Sequence, residues 1–422
     1  MNIGQISFRL AGSDGVSLET AKQTHVLTGM GHSNYYFAGE LDSIQKADCQ
    51  LAASVEGTML VPEAHFTHPE AVWLTNHAFG SITRHPEFEG RLQTLTRFIE
   101  KALLDFIDQY QIDILVAQNI LALPMNLALS VGVYNVITKT GIPTIAHHHD
   151  FFWEREKYRI NSVEELLRQT FPPRMPNIRH MVINSIAQER LLQMGIDSVI
   201  MPNVLDFDST PPGVDEYNKD LRKQIGLREQ DLFFLQPTRV VPRKGIEQSI
   251  ELVHRLADPR IKLIITHAAE YNTLRYLEEL CALSAKAHIP LYYLPARFHP
   301  VRCRTDNGDK IYSLWDAYLH ADFVTYPSLY EGFGNALLEA IYFRKPFLVN
   351  RYQVFQQDIE PAGIKAVKMD GQITETVVNE VKSLIGDRKK QKKYVDVNTK
   401  IAAEYFSYQT AAEILKRILN SF

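Results

Sequence analysis

The sequence predicts two doubly wound α/β domains, each a parallel sheet covered by helices. Three observations lead there. Short apolar runs alternate with longer stretches of helical periodicity, in two blocks. A stretch from Asp206, carrying Pro211, Pro212, Gly213 and several acids without periodicity, separates the blocks. A length of 422 residues exceeds one ordinary core and suits two. The expected organisation is an N-terminal domain over 1–205, a linker over 206–224 and a second domain over 225–404.

The first block opens with Ile3–Phe8 as a strand, Arg9–Gly15 as a glycine-containing loop and Val16–Met30 as a helix. That order begins a doubly wound domain, although the loop is not GxGxxG and equally reads as a tight turn. Asn34–Ala38 is a strand. Leu92–Tyr110 is an amphipathic helix with Leu95, Phe98, Ile99, Leu103 and Phe106 on one side. Ile112–Ala117 is a strand, Met125–Lys139 a helix, and Pro143–Ala146 a strand running into His147, His148, His149 and Asp150. Met181–Asn184, the helix Ile186–Met194 and Val199–Met201 complete the block.

The second block starts with the strand Leu232–Leu235, a polar loop Gln236–Gly245 and the helix Ile246–Leu256. Lys262–Ile265 is a strand, Thr273–Ala287 a helix and Leu291–Leu294 a strand. Ile311–His320 reads as a helix and Phe323–Tyr326 as a buried strand. Pro346–Phe347–Leu348–Val349 is a strand, and three helices follow from Thr374. The basic run Arg388–Lys393 reads as a solvated helix face. The two sheets are expected to face a cleft, with ligands beyond the carboxyl ends of the strands.

Composition narrows the function. Forty-five basic against 49 acidic residues give a formal charge of −4, so neither nucleic acid nor an anionic membrane is expected as an obligate partner. Cys49, Cys281 and Cys303 are odd in number and lack CxxC spacing, which suggests neither a disulfide framework nor a zinc site and points to a reducing cytoplasm. Met1–Leu10 does not read as a signal peptide. No apolar run approaches the ~18 residues of a membrane span. A monomer or homodimer is expected.

Two stretches carry chemistry. In Thr238–Gly245, Arg239 and Lys244 stand five apart on a loop shaped by Pro242 and Gly245; an arginine fork and a lysine point charge suit a diphosphate, and a solvated basic loop is the plainer reading. In Tyr330–Glu339, a loop with Gly332 and Gly334 joins a strand to a helix N-terminus, with Glu331 in the loop and Glu339 in the helix. Glycines admit a close ligand, helix N–H groups attract phosphate, and carboxylates accept from sugar hydroxyls. Glu331 and Glu339 are too far apart to work as an acid/base pair. A histidine at a strand's carboxyl end could polarise a hydroxyl. No converging partner makes His147–His149 a metal site, so none is expected. Phe151–Glu156 could wall an acceptor or start a helix packed on the core.

These residues resemble the retaining GT-B glycosyltransferases of family 4, which include sucrose-phosphate synthases and trehalose-forming and mannosyl transferases. The resemblance spans the chain. It rests on E-x7-E, met by Glu331 and Glu339 within EGFGNALLE, and on R-x4-K, met by Arg239 and Lys244. Asp14–Gly15 and His149–Asp150 match more loosely. The resemblance implies that Arg239 and Lys244 hold a donor diphosphate. It implies that Glu331, with Gly332, Phe333, Gly334 and Asn335, binds the donor sugar, and that Glu339 binds the ribose. Gly15 would admit the diphosphate to the first domain, and His149 would lie near the anomeric carbon. The helix at about 405–422 would cross back to the first domain. Asp14 stands where the family often has a second glycine. His147 and His149 share a side, so the active imidazole stays open between them. Ala146–Glu156 is also similar to transferases acting on small polar acceptors such as glucosylglycerate.

The implied activity is retaining transfer of glucose or mannose from a UDP- or GDP-hexose to a hydroxyl of a small soluble, anionic acceptor. The route is front-face attack, with no tightly bound cofactor and no essential metal. His147, Asp150 and Arg155 are the acceptor-side candidates; Arg155, Lys157 and Arg159 make the case for an anion. The base would be read by loops such as Ala296–His299. Two other readings stay open: a nucleotide-sugar epimerase of the same architecture, and a non-catalytic nucleotide-sugar-binding subunit.

Overall fold

The computed structural model describes residues 1–42 and 54–422; Cys49 lies outside them. The chain divides into two compact units, Met1–Pro202 with Tyr408–Phe422, and Asn203–Ser407.

In the first unit, β1 (Asn2–Ser7), β2 (Ser33–Ala38), β3 (Gly57–Leu60), β4 (Ile114–Gln118), β5 (Thr144–His148), β6 (Ile178–Val182) and β7 (Ser198–Ile200) form a sheet of order β3-β2-β1-β4-β5-β6-β7. Every pairing is parallel. Chain order reverses between β1 and β4, which is where an open parallel sheet leaves a crevice. The helices Phe88–Tyr110 and Leu127–Thr140 lay Leu95, Ile99, Leu103, Val133 and Val136 into one core with Phe37 and Leu115. Phe98 is not among them: it is 50% exposed, one position off the buried stripe. The C-terminal helix Tyr408–Leu419 belongs to this unit and packs on Gly15–Gly29, with the Tyr408 ring tilted against His25 at 5.6 Å.

In the second unit, β8 (Leu232–Gln236), β9 (Ile261–Ile265), β10 (Leu291–Tyr293), β14 (Phe323–Tyr326), β15 (Phe347–Asn350) and β16 (Val367–Met369) form a parallel sheet of order β10-β9-β8-β14-β15-β16. The reversal lies between β8 and β14. Between β10 and β14, β11 (Phe298–His299), β12 (Cys303–Arg304) and β13 (Lys310–Ser313) build a small separate sheet.

That small sheet corrects the helix expected over Ile311–His320. Lys310–Ser313 is a strand, and the helix is Leu314–His320. Ser313 and Asp316 form a capping box, which fixes the helix start after Ser313. The stretch 206–224, expected as a linker, is anchored within the second unit and carries the helix Leu221–Gln224. Its anchors are ionic: Asp215 pairs with Arg302 at 2.6 Å and Asp220 with Lys310 at 2.9 Å, while Asn218 donates to Asp316 at 2.9 Å. The strand expected over Met181–Asn184 ends at Val182, because Asn184 caps the next helix by accepting from Ala187 N.

Candidate functional site

In the second unit the loops leaving β8 and β14 touch. Gly245 sits at φ +61°, and a Cβ there would come within 2.5 Å of the Pro327 carbonyl oxygen. A glycine therefore lets the two loops lie together. Leu329 N donates to Arg243 O at 2.8 Å across the same seam.

The seam delivers three charges to one point. Lys244 Nζ donates to Glu331 Oε1. Arg243 Nη1 donates to Glu331 Oε2 at 2.8 Å and to the Tyr330 carbonyl at 3.2 Å. The Glu331 and Lys244 side chains are only 9% and 10% exposed. Burial alone would raise the Glu331 carboxyl, but the charges of Lys244 and Arg243 outweigh it and hold it below the usual carboxylate range. Arg243, which sequence reasoning passed over, is thus a member of the cluster. Its signal was its place directly before Lys244.

The expected Arg239–Lys244 pair is split between two carboxylates. Arg239 is 58% exposed and pairs with Glu270 at 3.4 Å, so its charge is free to reorient. Both cations still act on one neighbour: His267, at the end of β9, is pulled down to about 4 by burial and then by Lys244 and Arg239.

The helix Asn335–Tyr342 begins beside this cluster. Its cap is Gly334 at φ +129°, where a Cβ would lie 2.7 Å from Tyr352 Oη. Tyr352 Oη in turn donates to Phe333 O at 2.6 Å. Phe333 is core, edge-on to Phe406, so only its backbone can serve a ligand. Gly332 is exposed in the loop, and Asn335 Oδ1 accepts from Asn203 Nδ2 at 2.6 Å. No side chain caps this end; Leu337 N donates to Gly334 O at 3.0 Å, and the positive end of the helix dipole lies at its first residues. One turn on, Glu339 lies against Tyr318, whose phenol is raised well above normal by burial and then by that carboxylate.

The first unit holds the other candidates. Asp14 caps the helix Gly15–Gly29, accepting from Val16 N and Ser17 N, and pairs with Arg9 at 2.9 Å. Gly15 has open space around its Cα. At the carboxyl end of β4, Asn119 has a left-handed backbone, φ +64°. Such backbone strain persists where surroundings impose it. Here Asn119 Oδ1 accepts from His149 N at 3.0 Å and Asp150 N at 3.3 Å, and its Nδ2 donates to Asp150 Oδ1 at 3.2 Å. Arg155 Nη2 donates to Asp150 Oδ2 at 2.6 Å. One asparagine thus shapes the whole His149–Asp150 turn, and no sequence pattern marks a left-handed asparagine.

The three histidines part as strand alternation requires. His147 and His149 lie on one side, their rings 4.1 Å apart and tilted by 52°; His148 stands on the other, with its Nε2 3.0 Å from His180 Nδ1. His147 is 1% exposed and His149 half-buried. Burial carries His149 down to about 4 even though Asp150 and Asp14 pull the other way. Among the described residues no group of three His, Cys, Asp or Glu side chains gathers as a metal site. No described helix is long and apolar enough to cross a membrane.

Comparison with known proteins follows this geometry. Residues 309–400 match the family model described as Glycosyl transferases group 1. The chain is 31% identical over 392 residues to the mannosylglucosylglycerate synthase of Petrotoga mobilis, covering 87% of this chain and 86% of that one. It is 32% identical over 456 residues to the mannosylglucosylglycerate synthase of Thermotoga maritima, covering 99% of each. Among solved structures it is similar to Anabaena HepE in complex with UDP and glucose (TM-score 0.67, 14% identity, 100% and 99% covered). It is also similar to sucrose-phosphate synthase from Thermosynechococcus elongatus (TM-score 0.66, 12% identity, 99% and 98% covered). With the two parallel sheets and these relatives, the chain belongs to the glycosyltransferase family of the mannosylglucosylglycerate synthases and has the GT-B fold.

Proposed function

We propose that the protein moves a hexose from a nucleotide diphosphate sugar onto a hydroxyl of a small anionic acceptor, a hexoside of glycerate, with retention at the anomeric carbon. The observation that carries this reading is the buried Arg243–Glu331–Lys244 cluster beside an uncapped helix N-terminus. The names of the two relatives support a mannosyl donor and a glucosylglycerate acceptor. The UDP and glucose bound to HepE support UDP as the nucleotide, with GDP the other candidate.

In this mechanism Lys244 and the reorienting Arg239 neutralise the leaving diphosphate, assisted by the N–H groups after Gly334. Glu331 accepts from hydroxyls of the donor sugar and Glu339 from the ribose. Both Glu331 oxygens already accept from cations, which makes the carboxylate a poor nucleophile and favours front-face attack, the diphosphate taking the acceptor proton. Gly15 leaves room for the diphosphate and His149 stands by the donor sugar. His147, Asp150 and Arg155 shape the acceptor side, the buried His147 from behind. Catalysis is then positioning plus charge stabilisation.

A thermal-shift panel of nucleoside diphosphates and their hexoses tests the donor. One base should stabilise the protein above the others, because ligand binding to the folded state raises its melting temperature by mass action. Indifference to every member of the panel contradicts the reading.

A further inference from the structure

Gln118 lies at the carboxyl end of β4 and is completely buried. Its amide makes four contacts. Nε2 donates to Gln5 Oε1 at 3.1 Å and to Gln23 Oε1 at 3.0 Å. Oε1 lies 2.9 Å from His147 Nδ1 and 3.2 Å from His149 Nε2. Two donors and two acceptor sites are the full capacity of an amide side chain. Because Gln5 and Gln23 turn their oxygens toward Nε2, Oε1 is the atom turned to both rings. An acceptor oxygen there calls for N–H at His147 Nδ1 and at His149 Nε2. Gln23 Nε2 also lies 3.2 Å from His147 Nδ1; the shorter 2.9 Å contact to Oε1 and a bare His147 Nε2, which has no hydrogen-bond partner, fit the Nδ1–H form. In this arrangement the set leaves one bare acceptor, His147 Nε2, and one buried donor without a partner, Gln5 Nε2.

We infer that Gln118 is a positioning residue that holds neutral His149 in its Nε2–H tautomer, leaving Nδ1 as the ring atom that accepts a hydrogen bond from a sugar hydroxyl. The amides of Gln5 and Gln23 orient Gln118, and the strained Asn119 next to it fixes the His149 backbone. The chain of control runs from the sheet interior through one amide to the imidazole at its edge. Its use in transfer rests on the proposed function; the tautomer itself does not.

The tautomer is read directly from two-bond proton–nitrogen correlation spectra of histidine-labelled protein at pH 7, with His149 assigned by His149→Gln. The expected result is a protonated Nε2 and a bare Nδ1. A protonated Nδ1 in the wild type overturns the inference, whatever the variants do. In Gln118→Met the His149 signals should move toward a tautomer mixture; unchanged signals also overturn it. On the kinetic side, Gln118→Met should lower kcat about tenfold, the scale of one neutral hydrogen bond, with nucleoside diphosphate affinity unchanged. The bare Nδ1 together with no transfer to any acceptor defeats the proposed function and leaves the tautomer assignment standing.

Discussion

Lys244 and Glu331 are the residues on which stability and turnover should separate. Under the proposed mechanism Lys244→Ala removes the cation that would meet the leaving diphosphate, and it should lower kcat by at least ~100-fold, the scale of one preorganised electrostatic contact. It also strips Glu331 of one of its two cations in a nearly closed site, and breaking a buried pair costs about 3–5 kcal/mol. The double change Lys244→Met with Glu331→Gln should regain part of that stability, because the closed site then holds no unpaired carboxylate or ammonium and only Arg243, 26% exposed, loses its anion, while turnover stays lost. Melting curves and turnover on the wild type, Lys244→Met, Glu331→Gln and the double variant check both halves. Arg239→Ala should behave differently: its exposed pair with Glu270 is worth little, so the melting temperature should hold while donor KM rises. A destabilised Arg239→Ala protein would mean the arginine carries structure instead.

At the scale of elements, β5 and β6 make the fold sensitive to acid. His148 and His180 stack neutral and buried between neighbouring strands. Burial, with each other's charge for His148, holds both below the usual imidazole range, His180 at about 4. The sign follows from linkage. In the unfolded chain these rings charge below about 6.5, while in the fold they resist charging. Their contribution is therefore complete above pH 6.5 and is lost as pH falls toward 4, at up to about 1.4 kcal/mol per pH unit for each ring. Denaturant midpoints measured between pH 7.5 and 4.5 should fall with pH, and His148→Gln with His180→Phe should make that fall shallower, with His149 and His267 keeping their share. An unchanged slope in the double variant would place the acid sensitivity elsewhere.

The same strands show how far the sequence could be read. Runs such as Ile261–Ile265 and Phe323–Tyr326 name buried parallel strands because all but one residue in each, Lys262 and Thr325, is apolar or aromatic. Gly57–Leu60, of the same length as Phe323–Tyr326, gives no such signal because it opens on Gly and Thr and none of its residues is fully buried. Lys310–Ser313 was absorbed into a helix because its apolar residues continue the helical spacing, and only the Ser313–Asp316 box breaks it.

For the whole molecule, E-x7-E and R-x4-K picked out two residues, Glu331 and Lys244, that meet in the second unit. The residues that hold the site in shape were less visible. Arg243 is legible only once the seam between two loops is known. The Gln5–Gln23–Gln118 set is distributed over three elements and converges only when β1 and β4 pair. Asn119 reveals itself by a backbone angle. Motifs record groups that meet a ligand; the amides and turns that aim those groups leave no spacing behind.

The most direct test is a single NMR experiment on the full chain supplied with a mannosyl nucleotide and glucosylglycerate. The one-bond carbon–proton coupling of the new anomeric centre should report an α-linked product, with nucleoside diphosphate released in step and only when acceptor is present. A β-linked product, or donor cleavage indifferent to acceptor, would contradict the account.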